Sequence, residues 1–137
     1  MMRYLLNLTI VTRLRIAYGL FLLPATFLFF TIYANTAQQV AGWSSLSGGS
    51  PSHAFQWTQT GGIQDFGTLG GQNSSALAIN RSGQMAGFSD LSQAGVTHAA
   101  VWTGPNQIQD LGTLGGSYAT ATGINDAGAV AGWSSLE

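Results

Sequence analysis

The sequence DFGTLGG at residues 65–71 returns 45 residues later as DLGTLGG at residues 110–116. A comparison of residues 53–92 with residues 98–137 extends this match without a gap, and 20 of the 40 aligned positions are identical. Agreement over such a length is far beyond chance. The chain therefore contains an internal tandem repeat, which is the sequence signature of a repeat architecture.

The length of the repeat and its composition predict the fold. A further copy of one element begins at residue 40, where VAGWSSL matches the sequences that start at residues 85 and 130. A period of about 45 residues fits a four-stranded propeller blade or a pair of helices. The 19 glycines would be costly in helices, and each unit offers four short apolar or β-branched runs. The sequence predicts an all-β fold of antiparallel four-stranded units, a partial propeller-like array.

The predicted strands follow one another as a meander with turns rich in Gly and Asn. Asn80 begins one turn and Gly83 ends it, and the same pair recurs as Asn125 and Gly128. In such a turn Asn bonds to its own backbone and Gly accepts a positive φ, so these four residues are interpreted as structural. The predicted strands are 76–79, 84–89, 53–58 with its copy 98–103, and 63–66 with its copy 108–111.

Residues 1–37 have a different character from the rest of the chain. They hold three of the four arginines and no acidic residue, and an apolar stretch covers residues 16–34. A basic start before an apolar run predicts an N-terminal helix that is either a cleaved secretory signal or a retained membrane anchor. Small residues at Thr36 and Ala37 offer a cleavage site, and both alternatives stay open. Either one places the remainder outside the cytoplasm, secreted or at the cell surface.

Residues 38–137 form the predicted repeat region, of about two units. Arg81 stands there against four Asp and Glu137, a formal charge of 1 − 5 = −4. Nucleic-acid binding needs clustered basic residues, so that class of partner is excluded. The absence of cysteine also excludes disulfides and thiolate metal sites. The repeat parts are the strand element 40–46 and the segments 53–71, 76–116 and 121–137.

The repeat motifs resemble a known family. His53-Ala54-Phe55, the DFGTLGG string of residues 65–71 and Ala78-Ile79-Asn80 with Gly83 are similar to the HAF-type extracellular repeat. The likeness covers residues 40–137, and the second unit departs from it at Ala100, which gives His-Ala-Ala. The resemblance implies a bacterial surface or secreted protein of propeller-like architecture, without an established activity.

The repeated His and Asp residues are candidates for chemistry, but their periodicity favours a structural role. His53 and His98 occupy equivalent positions, so a shared metal would need two units to converge. Asp65 and Asp110 could be paired catalytic carboxylates, or they could accept backbone N–H bonds from the glycine-rich turns. Recurrence at one repeat position favours the second reading. We expect a structural hydrogen bond between His98 and Asp110, and no catalytic, metal or cofactor site.

The tryptophans raise the question of a ligand platform, because exposed indoles stack on sugars. Trp57 and Trp102 share one repeat position and are the candidate platform. Trp43 and Trp133 share another, which Phe88 occupies in the middle copy. Replacement of Trp by Phe fits packing between sheets better than sugar binding does, so packing is the favoured interpretation.

The last unit stops at its second strand, which leaves two alternatives. Either the sequence is a fragment of a longer one, or several chains assemble through open sheet edges at residues 121–124 and 130–134. The function predicted first is an exported, non-enzymatic repeat module for surface binding or scaffolding. The alternatives are a carbohydrate-binding, lectin-like propeller and a truncated piece of a propeller hydrolase.

Overall fold

The repeat folds into three antiparallel sheets, and the described residues contain no helix. The computed structural model describes residues 33–35 and 37–137. The first sheet holds strands β1 to β4 in chain order, the second holds β5 to β8, and the third holds β9 and β10. The strands are β1 (Tyr33–Ala34), β2 (Val40–Ser45), β3 (Ser52–Thr58), β4 (Gly62–Asp65), β5 (Gly70–Ile79), β6 (Met85–Leu91), β7 (Thr97–Gly104), β8 (Gln107–Gly112), β9 (Ala119–Ile124) and β10 (Val130–Ser134).

This arrangement confirms the predicted all-β class and the antiparallel sheets, two of which have four strands. Strand β5 is longer than its predicted core of residues 76–79, because it continues back to Gly70. The first sheet also starts before residue 38: β1 pairs with β2 through Tyr33↔Ala41 and Ala34↔Val40. Two residues that the sequence assigned to the N-terminal segment thus belong to the first repeat sheet.

Residues 1–32, which hold most of the predicted N-terminal helix, lie outside the described residues. Within residues 33–35 and 37–137, no helix is long and apolar enough to span a bilayer. The choice between a signal and an anchor therefore stays a prediction.

The sheets pack face to face, with a core between each neighbouring pair. Between the first and second sheets lie Trp102 and Met85, both fully buried, with Phe66 and four alanines. Between the second and third sheets lie smaller residues: Ala86, Ala99, Val101, Ala119 and Ala121. The second sheet is therefore covered on both faces. This explains why four successive residues of β7, from Ala99 to Trp102, are buried where a half-exposed strand would alternate.

Glycine allows the first two strands of a sheet to approach closely. A Cβ at Gly87 would lie 1.9 Å from the carbonyl oxygen of Ser75 on β5. At the equivalent place in the third sheet, a Cβ at Gly132 would lie 2.1 Å from the carbonyl oxygen of Thr120. Beside each glycine the partner strand has a bulge, at Leu77 and at Thr122, where the register shifts by one residue. Any side chain at either position would therefore overlap the backbone of the partner strand.

Candidate functional site

The His and Asp residues of the repeat signature form one pair in each complete sheet. His53 Nδ1 lies 2.8 Å from Asp65 Oδ2, and His98 Nδ1 lies 2.8 Å from Asp110 Oδ1. Strand register brings them together: Asp110 faces Ala100 across β7 and β8, and His98 lies two residues further along the same face. The predicted bond between His98 and Asp110 is confirmed, and its copy in the first sheet has the same geometry.

Each Asp of these pairs also holds the turn that follows its strand. Asp65 Oδ1 accepts a hydrogen bond of 2.7 Å from the N–H of Gly67, and Asp110 Oδ1 accepts one of 2.7 Å from Gly112. The two glycines have φ of 70° and 74°, a conformation that favours Gly. The Asp-x-Gly spacing thus closes a turn, as predicted from its recurrence, and the carboxylate has both the imidazole and the backbone as partners.

The remainder of the glycine-rich string links one sheet to the next. Thr68 Oγ1 donates to the carbonyl oxygen of Gly71 at 2.9 Å and accepts from the N–H of Gly70 at 3.2 Å. The Leu69 N–H donates to Ser89 Oγ in the second sheet at 2.8 Å. The second string repeats this contact, since the Leu114 N–H donates to Ser134 Oγ at 2.9 Å. The string is therefore a hydrogen-bonded connection between sheets.

The asparagine turns have the same internal bonds in every unit. Asn80 Oδ1 accepts from the N–H groups of Ser82 at 3.0 Å and Gln84 at 2.9 Å, and Asn125 Oδ1 accepts from Ala127 and Ala129. Gly83 and Gly128 both have φ of 82°. These contacts satisfy backbone donors that the turn would otherwise leave unpaired.

A third turn of this type, at Asn35, is present although the sequence search missed it. Asn35 Oδ1 accepts from the N–H groups of Ala37 and Gln39. Gln38 occupies the position of Gly83 and takes a φ of 61°, which is uncommon for a residue with a Cβ. The turn was not recognised in the sequence because it lacks the glycine of the motif. Asn35 does lie 45 residues before Asn80, so the repeat period would have been enough to predict it.

The asparagine side chains also bond from one sheet to the next, in what we call the Asn ladder (Asn35, Asn80 and Asn125). Asn35 Nδ2 donates to the backbone carbonyl of Asn80 at 2.7 Å, and Asn80 Nδ2 donates to that of Asn125 at 3.1 Å. Asn80 is nearly fully buried at 3% exposure, so its amide is shielded from water. Beside the ladder, the exposed side chains of Arg81 and Asp126 form an ion pair at 3.4 Å.

The two tryptophans of the candidate platform differ in exposure. Trp102 is fully buried between the first and second sheets, against Met85 and Phe66. It therefore has no surface on which a sugar could stack, as the packing interpretation predicted. Trp57, at the same repeat position in the first sheet, is partly buried. The structure thus does not bring these two indoles together as one exposed face.

Two aromatic residues of one repeat position, Phe88 in the second sheet and Trp133 in the third, form a row with Tyr118, which the sequence analysis did not consider. The ring of Tyr118 stacks on Trp133 with centroids 5.2 Å apart and lies 6.1 Å from the ring of Phe88. Burial raises the pKa of the Tyr118 phenol above its ordinary value, and the negative charge of Asp90 raises it further. Trp133 is 57% exposed, so this row, unlike Trp102, presents an indole to solvent.

Among residues 33–35 and 37–137, no group of three or more His, Asp or Glu side chains is arranged to hold a metal ion. The imidazoles and carboxylates that the sequence flagged occur as separate pairs, one in each complete sheet. Each pair closes a turn and joins two neighbouring strands.

Comparison with known proteins identified no relative of this chain. No protein-family model, no curated protein and no solved structure matches the chain. The resemblance to HAF-type repeats therefore stays a prediction that rests on the residues quoted above.

Proposed function

We propose that this chain is an exported, non-enzymatic repeat module that serves as a surface scaffold of stacked sheets. The observation that carries the proposal is the recurrence of bonding in the repeat signature. In each of the two complete sheets, His and Asp bond to each other, and Asp also bonds to the turn. Catalytic groups belong to one site, whereas identical bonds in successive units are what a repeating framework requires.

We further propose that the units are arranged like propeller blades. The Asn ladder holds the ends of β1, β5 and β9, the first strands of their sheets, within hydrogen-bond distance. The fourth strands, β4 and β8, are largely exposed. First strands that converge and last strands that face solvent are the pattern expected of blades around an axis. The sheets described are open and do not close a ring.

Export is tested with a reporter phosphatase that is active only where its disulfides can form, outside the cytoplasm. The reporter is fused after Glu137 in a bacterial host, and the matched control lacks residues 1–37. We expect phosphatase activity from the full chain and none from the control. An inactive full-length fusion that accumulates at normal levels would contradict export, and with it the proposed scaffold at the cell surface.

Carbohydrate binding is the second candidate, and one observation favours it. The exposed Trp133 ring stacked on Tyr118 has the form of a sugar platform, which moves the proposed site away from Trp57 and Trp102. Binding to a panel of immobilised polysaccharides tests it. If the module is a lectin, Trp133→Ala should abolish binding to a retained polysaccharide, and the matched variant Trp57→Ala should not. Equal binding by both variants would remove Trp133 as the platform.

A further inference from the structure

The chain enters the first sheet at the residues that precede the candidate cleavage site. Strand β1 is hydrogen-bonded to the start of β2 in an antiparallel pair. Directly after β1, the backbone N–H of Asn35 donates to the carbonyl oxygen of Gln39 at 3.0 Å, which closes the turn into β2. The candidate cut lies after Ala37, within this turn. A cut there would detach β1 from the chain that forms the rest of its sheet.

The turn at Asn35 has the same bonds as the turn at Asn80. In each turn, the Asn Nδ2 donates at 2.7 Å to Oε1 of the glutamine four residues later, Gln39 or Gln84. In each, the Asn backbone N–H donates to the carbonyl oxygen of that glutamine at 3.0 Å. Nδ2 also donates to a backbone carbonyl one unit later, from Asn35 to Asn80 and from Asn80 to Asn125. A leader removed after export could not supply these bonds to the exported protein.

Removal of residues 1–37 would leave the first sheet incomplete. The carbonyl oxygen of Asn80 would lose the donor on Asn35, and β2 would become an edge strand. Strand β2 reads VAGWSS, without a charge or a proline, and its first three residues are buried. Exposed edges in natural proteins are commonly protected by charges, prolines or bulges, so β2 is poorly suited to be an edge. The first sheet therefore needs β1 to stay attached.

We propose that the N-terminal segment is retained after export, and that it anchors the first sheet next to the membrane. This inference rests on the proposed export and decides between the two forms of the segment. Because residues 33–34 pair with β2, residues 16–32 remain for the span, at the short end of the range of about 17–25 residues that crosses a bilayer. Immediately before β1, residues 27–32 read FLFFTI and offer no two small residues at the spacing of a cleavage site.

Asn35 is the residue on which both the turn and the retention depend. Its side chain holds the turn and bonds to the second sheet, and it occupies the third position before the candidate cut. A signal cleavage site has small residues at the first and third positions before the cut, as in Ala-x-Ala. Ala37 meets this requirement and Asn35 does not. The side chain that bonds the first sheet to the second therefore also keeps the junction uncut.

The phosphatase fusion of the full chain measures export and processing in one experiment. Membrane and soluble fractions are separated, and the mass of the fusion protein in each fraction identifies its N-terminus. Asn35→Ala creates Ala-x-Ala before the junction. Asn35→Gln removes the fitted side chain without creating that pattern, and Asn125→Ala makes the alanine change at the same repeat position, away from the junction.

We expect the wild-type fusion to be active, intact and confined to the membrane fraction. Asn35→Ala should lose residues 1–37 and pass into the soluble fraction, because position 35 then carries the small residue that the cut requires. An inhibitor of signal peptidase should restore this variant to full length. Asn35→Gln and Asn125→Ala should stay intact and bound to the membrane.

An active wild-type fusion that has lost its apolar segment overturns retention, while export stands. An inactive wild-type fusion that accumulates at normal levels overturns both, since a chain that is not exported anchors nothing outside. If Asn35→Ala stays intact, position 35 does not control the junction and its assignment is wrong. A cut after Ala37 in Asn35→Gln also overturns that assignment, because loss of the folded turn would then be enough to expose the junction.

Discussion

At Asp110 a single carboxylate stabilises two elements at once. It accepts the N–H of Gly112, which holds the turn after β8, and it contacts the imidazole of His98, which ties β8 to β7. The carboxylate is 42% exposed, so solvent weakens its interaction with the imidazole, and the bond to the turn is the larger part of its expected effect. The pair is a small but specific contribution to the sheet.

Asp110→Ala should therefore lower the free energy of unfolding by about 1 kcal/mol, because the Gly112 N–H and the His98 ring lose their acceptor. For a domain of this size the melting temperature should fall by roughly 4–8 °C. Thermal unfolding measures it, and Glu137→Ala is the control for the loss of one exposed negative charge. An unchanged melting temperature would show that the pair carries no stability.

The Asn ladder offers a comparison within one molecule. Asn80 and Asn125 hold the same internal turn bonds, but only Asn80 donates to the next sheet and to Gln84 Oε1. Asn80→Ala should cost about 2–3 kcal/mol, since it removes bonds in a buried setting, and Asn125→Ala about 1 kcal/mol. Denaturant unfolding of both variants gives the difference. Equal losses would mean that the bonds between sheets contribute nothing measurable.

Among the elements, the first strand of a sheet can approach the second so closely only because a glycine leaves no side chain between their backbones. A side chain at Gly87 would overlap the Ser75 carbonyl, so β5 and β6 could not keep their separation. At Gly123 on β9, by contrast, a Cβ would meet no described atom within 4 Å, and the backbone has no positive φ there. Both glycines lie in strands, but a side chain is excluded at Gly87 and accommodated at Gly123.

Gly87→Ala should destabilise the protein by about 2 kcal/mol or more, as a forced overlap in a packed sheet does. Gly123→Ala should change stability by less than about 0.5 kcal/mol. Urea denaturation followed by tryptophan fluorescence compares them. Similar stabilities for the two variants would contradict the close approach of β5 and β6.

Across the whole molecule, local stability should be highest in the sheet that packs against other sheets on both of its faces. The second sheet has a core on each face, whereas β10 in the third sheet is largely exposed. Because buried strands open only with much of the structure, their amide hydrogens exchange slowly. The amides of β6 and β7 should thus exchange on the order of a hundredfold more slowly than those of β10. Exchange followed by mass spectrometry measures this, and equal protection would mean that the sheets unfold as one unit.

The repeat itself, its strand order and its turns followed from the sequence alone. Periodic Gly, Asn and Asp residues predict turns because their conformational and bonding properties act within a few residues of the chain. This local physics also identified His53, His98, Asp65 and Asp110 as framework, and the contacts of each Asp agree. The first half of β5 was missed because its sequence, GGQNSS, is polar and rich in glycine. The turn at Asn35 was missed because Gln38 stands where the motif has glycine.

Only the tertiary structure decided which faces are covered. Trp57 and Trp102 are equivalent in sequence, yet Trp102 is fully buried and Trp57 only partly, because burial depends on which sheet packs alongside. The Asn ladder likewise joins residues 45 positions apart, a contact that no local pattern specifies. The sequence determines bonds that form within a turn or between adjacent strands. Bonds and burial between sheets depend on how the units stack, which is a property of the folded array.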